Sequence, residues 1–288
     1  MHPLTKIPFL KMNGIGNAIL VVDLRHTDYV LRPEDARAIA KGPQTGFDQL
    51  MVLYPPRQAD SAAFMTIFNC DGSLSAACGN GTRCVAWALM AETDKTSLNV
   101  ESDAGLLLCT KNDDWHFSVD MGLPRLNWQD IPLSFSVADT NHVPLELDAD
   151  LASLLPVPSL VNMGNPHAIF FVDDVQGLDV ETIGPVLEHH KAFPEKANIS
   201  FAKMIKRDEM VLKVWERGAG LTLACGSGAC AAAVAAIRRG IGDRQICVHL
   251  PGGDLAIEWR ESDGHVIMTG AVELEGRLLL SDAVFETV

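Results

Sequence analysis

The chain repeats itself, and a repeat of this length calls for a fold built from two similar halves. Gly16-Asn17 leads into Ala18-Ile19-Leu20-Val21-Val22-Asp23, and Gly164-Asn165 leads into Pro166-His167-Ala168-Ile169-Phe170-Phe171-Val172-Asp173. Phe68-Asn69 begins ten positions before Cys78, and Trp215-Glu216 begins ten positions before Cys225. Helix-like stretches at Arg32-Pro33-Glu34-Asp35 and Asp179-Val180-Glu181-Thr182 keep the same order. The offset is about 147 residues throughout, too long for a solenoid repeat and about the length of one ordinary domain. Two domains of like architecture follow, and a cleft between domains is a favoured place for a small-molecule site.

The two cysteines stand in matching contexts. Ala77-Cys78-Gly79-Asn80-Gly81 and Ala224-Cys225-Gly226-Ser227-Gly228 each put a thiol before a Gly-x-Gly turn that runs into an Ala-rich helical stretch. A thiol at a helix N-terminus feels the positive end of the helix dipole, which raises its thiolate fraction. Glycine lets backbone N–H groups approach an anion at the same place. One such segment marks a reactive cysteine; two mark a pair that serves one substrate.

Seven cysteines in a chain that starts Met1-His2-Pro3-Leu4-Thr5-Lys6, with no long apolar run behind it, argue against a disulfide framework. The residue pattern points to a cytoplasmic protein. No Cys-x-x-Cys pair occurs, so no zinc site and no other metal centre is expected. Cys84, Cys109, Cys230 and Cys247 have apolar neighbours and read as small core residues. A formal net charge of −14 argues against nucleic acid or an anionic membrane as partner.

Short β-branched runs dominate the rest. Strands are expected at Ile19–Asp23, Leu50–Tyr54, Met65–Phe68, Leu98–Ser102, Leu106–Thr110 and His116–Met121. The second half should supply Ala168–Asp173, Ile199–Ile205, Val211–Trp215, Ile246–Leu250, Leu255–Trp259 and His265–Thr269. Helices are expected at Pro33–Lys41, Thr82–Ala91, Val180–His190 and Ala229–Arg239, the last closed by Gly240. The fold class is therefore α/β in the α+β sense: two pseudo-symmetric halves, each a mostly antiparallel sheet wrapped around a central helix. The first domain takes residues 1–125 plus about 272–288 and carries Cys78; the second takes 126–271 and carries Cys225. The C-terminal run Leu278–Val288 has no counterpart in the first half and is expected to cross back to the first domain's sheet.

Two thiols on opposite faces of a bound molecule suit inversion at a carbon stereocentre. One, as thiolate, removes a proton, and the other returns one. An ordinary thiol pKa near 8.5 lies close enough to neutrality for either task. The α-proton of an amino acid is very weakly acidic, so N–H groups preorganised at two helix ends must stabilise the developing charge.

Several strings resemble the diaminopimelate epimerase family. They are Lys11-Met12-x-Gly14-Ile15-Gly16-Asn17, Gly46-Phe47-Asp48-Gln49-Leu50, Phe68-Asn69-x-Asp71-Gly72-Ser73, Cys78-Gly79-Asn80-Gly81-Thr82-Arg83-Cys84, Gly164-Asn165-Pro166-His167 and Glu216-Arg217-Gly218-Ala219-Gly220-x-Thr222-x-Ala224-Cys225-Gly226-Ser227-Gly228-Ala229. The resemblance implies a cofactor-independent epimerase that interconverts LL- and meso-diaminopimelate for lysine and peptidoglycan precursor synthesis. It also implies a homodimer. Carried over motif by motif, Cys78 and Cys225 are the catalytic base and acid, and His167 and Glu216 tune the thiols. Gly79, Asn80, Gly226 and Ser227 present N–H groups to the reacting carboxylate. Asn69, Asn165, Asn198, Glu216 and Arg217 hold the polar groups of a diamino dicarboxylic acid, with Arg217 forked on the distal carboxylate. Asn17 and Gln49 complete the pocket.

The chain departs from the family pattern at Asn13 (usually His), Ala18 (usually Asp), Leu221 (usually Glu) and Ala271 (usually Pro). Proline and hydroxyproline racemases resemble the paired cysteine turns but lack the Glu216-Arg217-Gly218-Ala219-Gly220 lead-in. Phenazine-type isomerases share the architecture without the thiols. A thiol redox sensor that closes a Cys78–Cys225 disulfide is the non-enzymatic alternative.

Overall fold

The computed structural model describes residues 2–42, 44–75 and 77–286. The chain forms two compact units, one of Met1–Asp120 with Thr269–Val288 and the other of Met121–Met268.

In the first unit a hairpin of β1 (Pro8–Asn13) and β2 (Ala18–Asp23) opens the sheet. Helix α1 (Pro33–Ala40) starts on Pro33, with Glu34 and Asp35 in its first turn where the helix dipole favours acid. It carries the chain to β3 (Gln49–Tyr54), parallel to β2, and β4 (Ser61–Asn69) returns antiparallel with a two-residue strand β5 (Leu74–Ser75) on its flank. Helix α2 (Gly79–Met90) crosses to β6 (Ser97–Ser102), parallel to β4, and β7 (Gly105–Lys111) and β8 (His116–Asp120) finish as a meander.

The second unit restates this order. A short helix α3 (Ala149–Leu154) precedes the antiparallel pair β9 (Ser159–Asn162) and β10 (Pro166–Phe171). Helix α4 (Val180–Glu188) leads to β11 (Asn198–Lys206), parallel to β10, then antiparallel β12 (Glu209–Glu216) with β13 (Gly220–Thr222) beside it. Helix α5 (Gly226–Arg238) crosses to β14 (Gln245–Leu250), parallel to β12, followed by β15 (Gly253–Trp259) and β16 (Val266–Ala271), whose last three residues belong to the first unit. The internal sequence repeat is thus a repeat of topology, with parallel and antiparallel pairings in the same places.

Each unit wraps its sheet round one helix. Helix α2 packs against β2, β3, β6, β7 and β8, and α5 against β9, β10, β11, β12, β14 and β15. Every residue from Ala229 to Ala236 has zero exposure, so α5 is buried on all sides. Alanine makes this feasible, because strands can approach a helix of small side chains from every direction. The helix stops at Gly240 (φ +71°), where the Gly240 N–H donates to the Ile237 carbonyl and the Ile241 N–H to the Ala236 carbonyl. The apolar faces of α1 and α4 seal the outer cores, around Phe9, Leu20, Ile39 and Phe68 in one unit and Phe170, Leu187, Ile199 and Phe201 in the other.

The structure departs from the expectations in five respects. Both central helices begin three residues earlier than expected, at Gly79 and Gly226, so each cysteine is the N-cap itself. None of Gly79, Gly81, Gly226 and Gly228 takes a positive φ; the Gly-x-Gly segment is the first helical turn rather than a turn ahead of it. The strand that returns to the first unit is β17 (Glu273–Leu279), antiparallel to β1, and it precedes most of the 278–288 run. Strands β1, β5, β9 and β13 were not expected, because they are short or lack alternation. Cys84, Cys109 and Cys230 are core residues, but Cys247 is only half-buried, on the outer face of β14.

Candidate functional site

In the first unit the β1–β2 turn, the ends of β3 and β4, and the start of α2 carry the residues singled out from the sequence. The hairpin closes with the Gly14 N–H on the Asn17 carbonyl at 3.0 Å, and Ile15 and Gly16 both take positive φ (54° and 86°). Two left-handed residues give a turn that matches the strand twist, although a β-branched residue pays conformational strain there. A Cβ on Gly14 would lie 3.2 Å from both the Cβ and the carbonyl oxygen of Asn80, so glycine lets this turn abut the first turn of α2. Asn13 accepts the Gly16 N–H at 2.7 Å, and Asp48 accepts the Ala18 N–H at 2.8 Å. The loop is therefore braced by a carboxylate from across the sheet although residue 18 carries none. The Asn17 side-chain oxygen is buried without a hydrogen-bond partner.

Gln49 and Asn69 are cross-strand partners, and the Gln49 amide donates to Asn69 Oδ1 at 3.4 Å while Asn69 donates to Ser73 Oγ at 3.0 Å. Asp71 shapes that turn by accepting the Ser73 N–H at 2.8 Å. Cys78 caps α2: its sulfur accepts the Gly81 N–H at 3.1 Å, and its carbonyl accepts the Thr82 N–H and hydroxyl. Gly79 follows as the first helical residue. A Cβ on Gly81 would meet Met51 Sδ at 2.5 Å and the Cys78 sulfur at 3.3 Å. Arg83 is fully buried and donates to Asn80 Oδ1 at 3.1 Å, which sets the Asn80 side chain from beneath.

The second unit's site residues centre on Cys225, the N-cap of α5, which is 4% exposed. A chain of polar contacts runs from Cys225 Sγ to Ser227 Oγ at 3.6 Å, on to His167 Nε2 at 3.1 Å, and to Asn165 Oδ1 at 2.9 Å. Burial, then the charge of Arg217, pushes the His167 pKa down to about 3, so its imidazole is neutral. One N–H on Nε2 serves both acceptors and leaves the Ser227 hydroxyl hydrogen to point at sulfur; this tautomer is assigned from the network. The orphan is then the His167 Nδ1 lone pair, which is cheaper to bury unpaired than an N–H.

Burial raises the Cys225 pKa well above its ordinary value, the Glu216 charge adds to this, and a hydrogen bond to Glu216 favours the thiol further. The Ser227 hydroxyl and the Gly228 amide pull the other way, toward thiolate. The sulfur thus has an acceptor for its proton and donors for its anion. Glu216 is held in turn by the Thr222 hydroxyl at 2.6 Å. By contrast, burial is the main cause that pushes Cys84 and Cys109 up to about 12; at Cys84 the Arg83 charge opposes it and the nearby Cys78 adds to it.

Asn198 donates to the Pro166 carbonyl at 3.0 Å and accepts the Arg217 N–H at 2.9 Å, so it ties the β10 entry to the β12–β13 turn. The Arg217 guanidinium is exposed and donates to the Glu195 carbonyl at 2.9 Å. Gly226 is the first residue of α5, and Gly228 packs on the thiol: a Cβ there would lie 3.0 Å from Val214 Cγ2 and 3.2 Å from Cys225 Sγ.

Sequence reasoning missed Glu188. This buried carboxylate accepts the Trp215 indole N–H at 2.8 Å and the Gly218 N–H at 3.1 Å, so it positions the whole Glu216–Gly220 turn. A signal existed. Glu188 ends α4, where the helix dipole disfavours acid, so local preference does not explain it. Thr222 and Asp48 were also read without their supporting roles.

Comparison with known proteins places these features in one family. The model of the family described as diaminopimelate epimerase matches residues 9–127 and 159–275. Diaminopimelate epimerase of Methylocella silvestris is 54% identical over 285 residues, 99% of this chain and 98% of that protein. That of a Methylobacterium species is 53% identical, covering 99% of each. Among solved structures, a probable proline racemase from Agrobacterium radiobacter aligns with a TM-score of 0.69 at 14% identity, over 98% of this chain and 94% of that one. A phenazine biosynthesis protein of the PhzF family from Bacillus anthracis aligns with a TM-score of 0.68 at 16% identity, over 96% and 99%. At such identities the structural likeness concerns the fold.

Proposed function

The chain belongs to the diaminopimelate epimerase family, and we infer on that premise that it interconverts LL- and meso-diaminopimelate, an isomerase step of lysine biosynthesis. The observation that carries the reading is the thiol at the N-cap of each central helix, in a chain more than half identical to named epimerases over nearly its whole length. In this reading Cys78 and Cys225 act on one α-carbon from opposite faces. In one direction the thiolate takes the α-proton and the opposite thiol delivers its own; the carbon inverts and the enzyme is left with the two protonation states exchanged. The reverse direction uses the same groups with roles reversed, and these transfers call on no cofactor or metal.

The environment of Cys225 supports both roles. As thiol it holds its proton against Glu216, and as thiolate it is met by Ser227 and the first turn of α5. The N–H groups of a helix's first turn point out of its N-terminus, so those at Gly79, Asn80, Gly226 and Ser227 suit the carboxylate whose charge grows as the α-proton leaves. Preorganised donors of this kind are worth roughly 3–4 kcal/mol each when removed elsewhere. Asn17, Gln49, Asn69, Asn165, Asn198, Glu216 and Arg217 are assigned to the substrate's remaining polar groups, with Arg217 on the distal carboxylate. Neutral His167 tunes Cys225 through Ser227 rather than by charge. The enzyme in this reading is a cytoplasmic homodimer; among the described residues no helix is long and apolar enough to cross a membrane.

The test is α-proton exchange in D₂O, followed by NMR, on LL-diaminopimelate with chelator present and pyridoxal phosphate absent. The expected result is deuterium at the α-carbon together with the meso isomer, and loss of both in Cys78→Ala and Cys225→Ala. Folded, reduced protein that inverts proline or hydroxyproline and leaves diaminopimelate untouched would overturn the substrate assignment. Full activity in Cys225→Ala would overturn the two-thiol mechanism.

A further inference from the structure

The outer face of the second unit carries a cluster that epimerisation does not use. Strand β14 alternates strictly: Ile246, Val248 and Leu250 are buried, so Cys247 and His249 project together on the other side. Asp254 of β15 lies directly opposite His249, and Glu209 of β12 lies opposite Cys247. The Cys247 sulfur, a His249 ring nitrogen and an Asp254 carboxylate oxygen all fall within 4.8 Å of one another. Ligands bound to one tetrahedral zinc at about 2.0–2.3 Å sit roughly 3.3–3.8 Å apart. Closure by about an ångström, within reach of side-chain rotation at a partly exposed site, brings the three donors onto one ion.

A second, independent feature supports a ligand role for the imidazole. His249 Nδ1 is 2.7 Å from Asp254 Oδ1, and Nε2 is 3.0 Å from Glu209 Oε1. The Glu209 carboxylate behind Nε2 holds the Nε2–H, so that Nδ1, on giving up the proton it shares with Asp254, offers its lone pair to an ion, the arrangement that orients metal-bound histidines. The local charge agrees. The carboxylates of Asp254 and Glu209 converge on the cluster from β15 and β12, a field that a dication relieves. Lys206, 2.8 Å from Glu209 Oε2, is the cation facing the cluster, and it engages the supporting carboxylate rather than a ligand.

We propose that Cys247, His249 and Asp254 form a site for one borderline divalent transition-metal ion of the zinc class, with Glu209 positioning the imidazole. The mixed sulfur, nitrogen and oxygen donors select such an ion over magnesium or calcium, which take oxygen. Binding forms metal–sulfur, metal–nitrogen and metal–oxygen bonds. The thiol proton of Cys247 and the proton that His249 Nδ1 shares with Asp254 pass to solvent, and no electron is transferred. A fourth position remains for water. The ion would staple β14 to β15 across the Pro251–Asp254 turn. Sequence spacing concealed this site, because the ligands converge across strands rather than within one short motif.

The experiment is a titration of the reduced full-length protein with Co²⁺, read by the near-ultraviolet thiolate-to-cobalt charge-transfer band and the visible bands of a tetrahedral ion. Saturation at one equivalent per chain is expected, with displacement by equimolar Zn²⁺, which binds such donor sets more tightly than Co²⁺. Cys247→Ser should abolish the charge-transfer band while epimerase activity, which reports correct folding, is unchanged. Glu209→Gln should weaken the affinity roughly 10–100-fold. The double variant Cys78→Ala, Cys225→Ala should keep the band. No thiolate band at one equivalent, a band that survives Cys247→Ser, or one lost with the catalytic thiols would each overturn the proposal.

Discussion

Replacing Gly228 by alanine tests whether the first turn of α5 positions the Cys225 thiol. Glycine inside a helix normally costs roughly 1 kcal/mol relative to alanine, so propensity alone makes Gly228→Ala stabilising. The packing says otherwise. The added Cβ would sit 3.0 Å from Val214 Cγ2 and 3.2 Å from the Cys225 sulfur, against ordinary carbon contacts of about 3.5–4.0 Å. Val214 is 1% exposed on β12, and a buried valine is stiff about χ1. The yielding partner is therefore the thiol, which must move by about half an ångström. Overpacking of this kind costs about 1–3 kcal/mol; after the propensity gain, the net destabilisation is about 0–2 kcal/mol, at most a drop of several degrees in Tm. Misplacement of a reacting group by about 1 Å can cost 100-fold in rate, so half of that should lower kcat by about 10-fold or more. The assay pairs thermal unfolding with α-proton exchange. Gly276→Ala serves as control, because a Cβ there meets nothing within 4 Å. A Gly228→Ala enzyme with wild-type kcat would refute the argument that this glycine exists to seat the sulfur.

Other consequences follow from the same geometry. His167 has a folded pKa near 3 against 6.5 in the free side chain, so below 6.5 the unfolded state takes up a proton that the folded state refuses. Stability should fall with falling pH, by about 2 kcal/mol between pH 7.5 and 5 from this group, and urea unfolding of His167→Gln should lack that loss; an identical pH dependence in both proteins would contradict the buried neutral imidazole. Glu188→Gln puts an amide N–H against a donor and should cost about 1–3 kcal/mol, raising KM more than it lowers kcat, because the Gly218 N–H loses its acceptor; steady-state kinetics that leave KM unmoved would count against its role in holding that turn. Arg217→Lys keeps the charge and loses the planar fork, so KM should rise while the pH profile of kcat stays in place. A shifted profile would show that Arg217 acts on the thiols rather than on a carboxylate.

The sequence by itself determined the architecture and its repetition. Apolar alternation located most strands, Pro33 and Gly240 marked helix ends, and the paired Gly-Asn and cysteine strings announced two like units, because these signals are local and act through backbone preference or side-chain period. Family likeness in the motifs, matched by relatives above 50% identity over nearly the whole chain, carried the activity. The tertiary structure decided what each residue near the thiols does. The two Gly-x-Gly segments read as turns because glycine permits left-handed conformations, yet they are helical and small for packing against Met51 and Val214, which are distant in sequence. His167 could have been a charged activator; complete burial makes it neutral and routes its influence through Ser227. Glu188 gave only the weak signal of an acid at a helix C-terminus, and the Cys247–His249–Asp254 cluster was invisible, since a carboxylate's partners or a metal's ligands are fixed by which strands and helices meet. Period and propensity act along the chain, whereas desolvation, hydrogen bonding and coordination act across it.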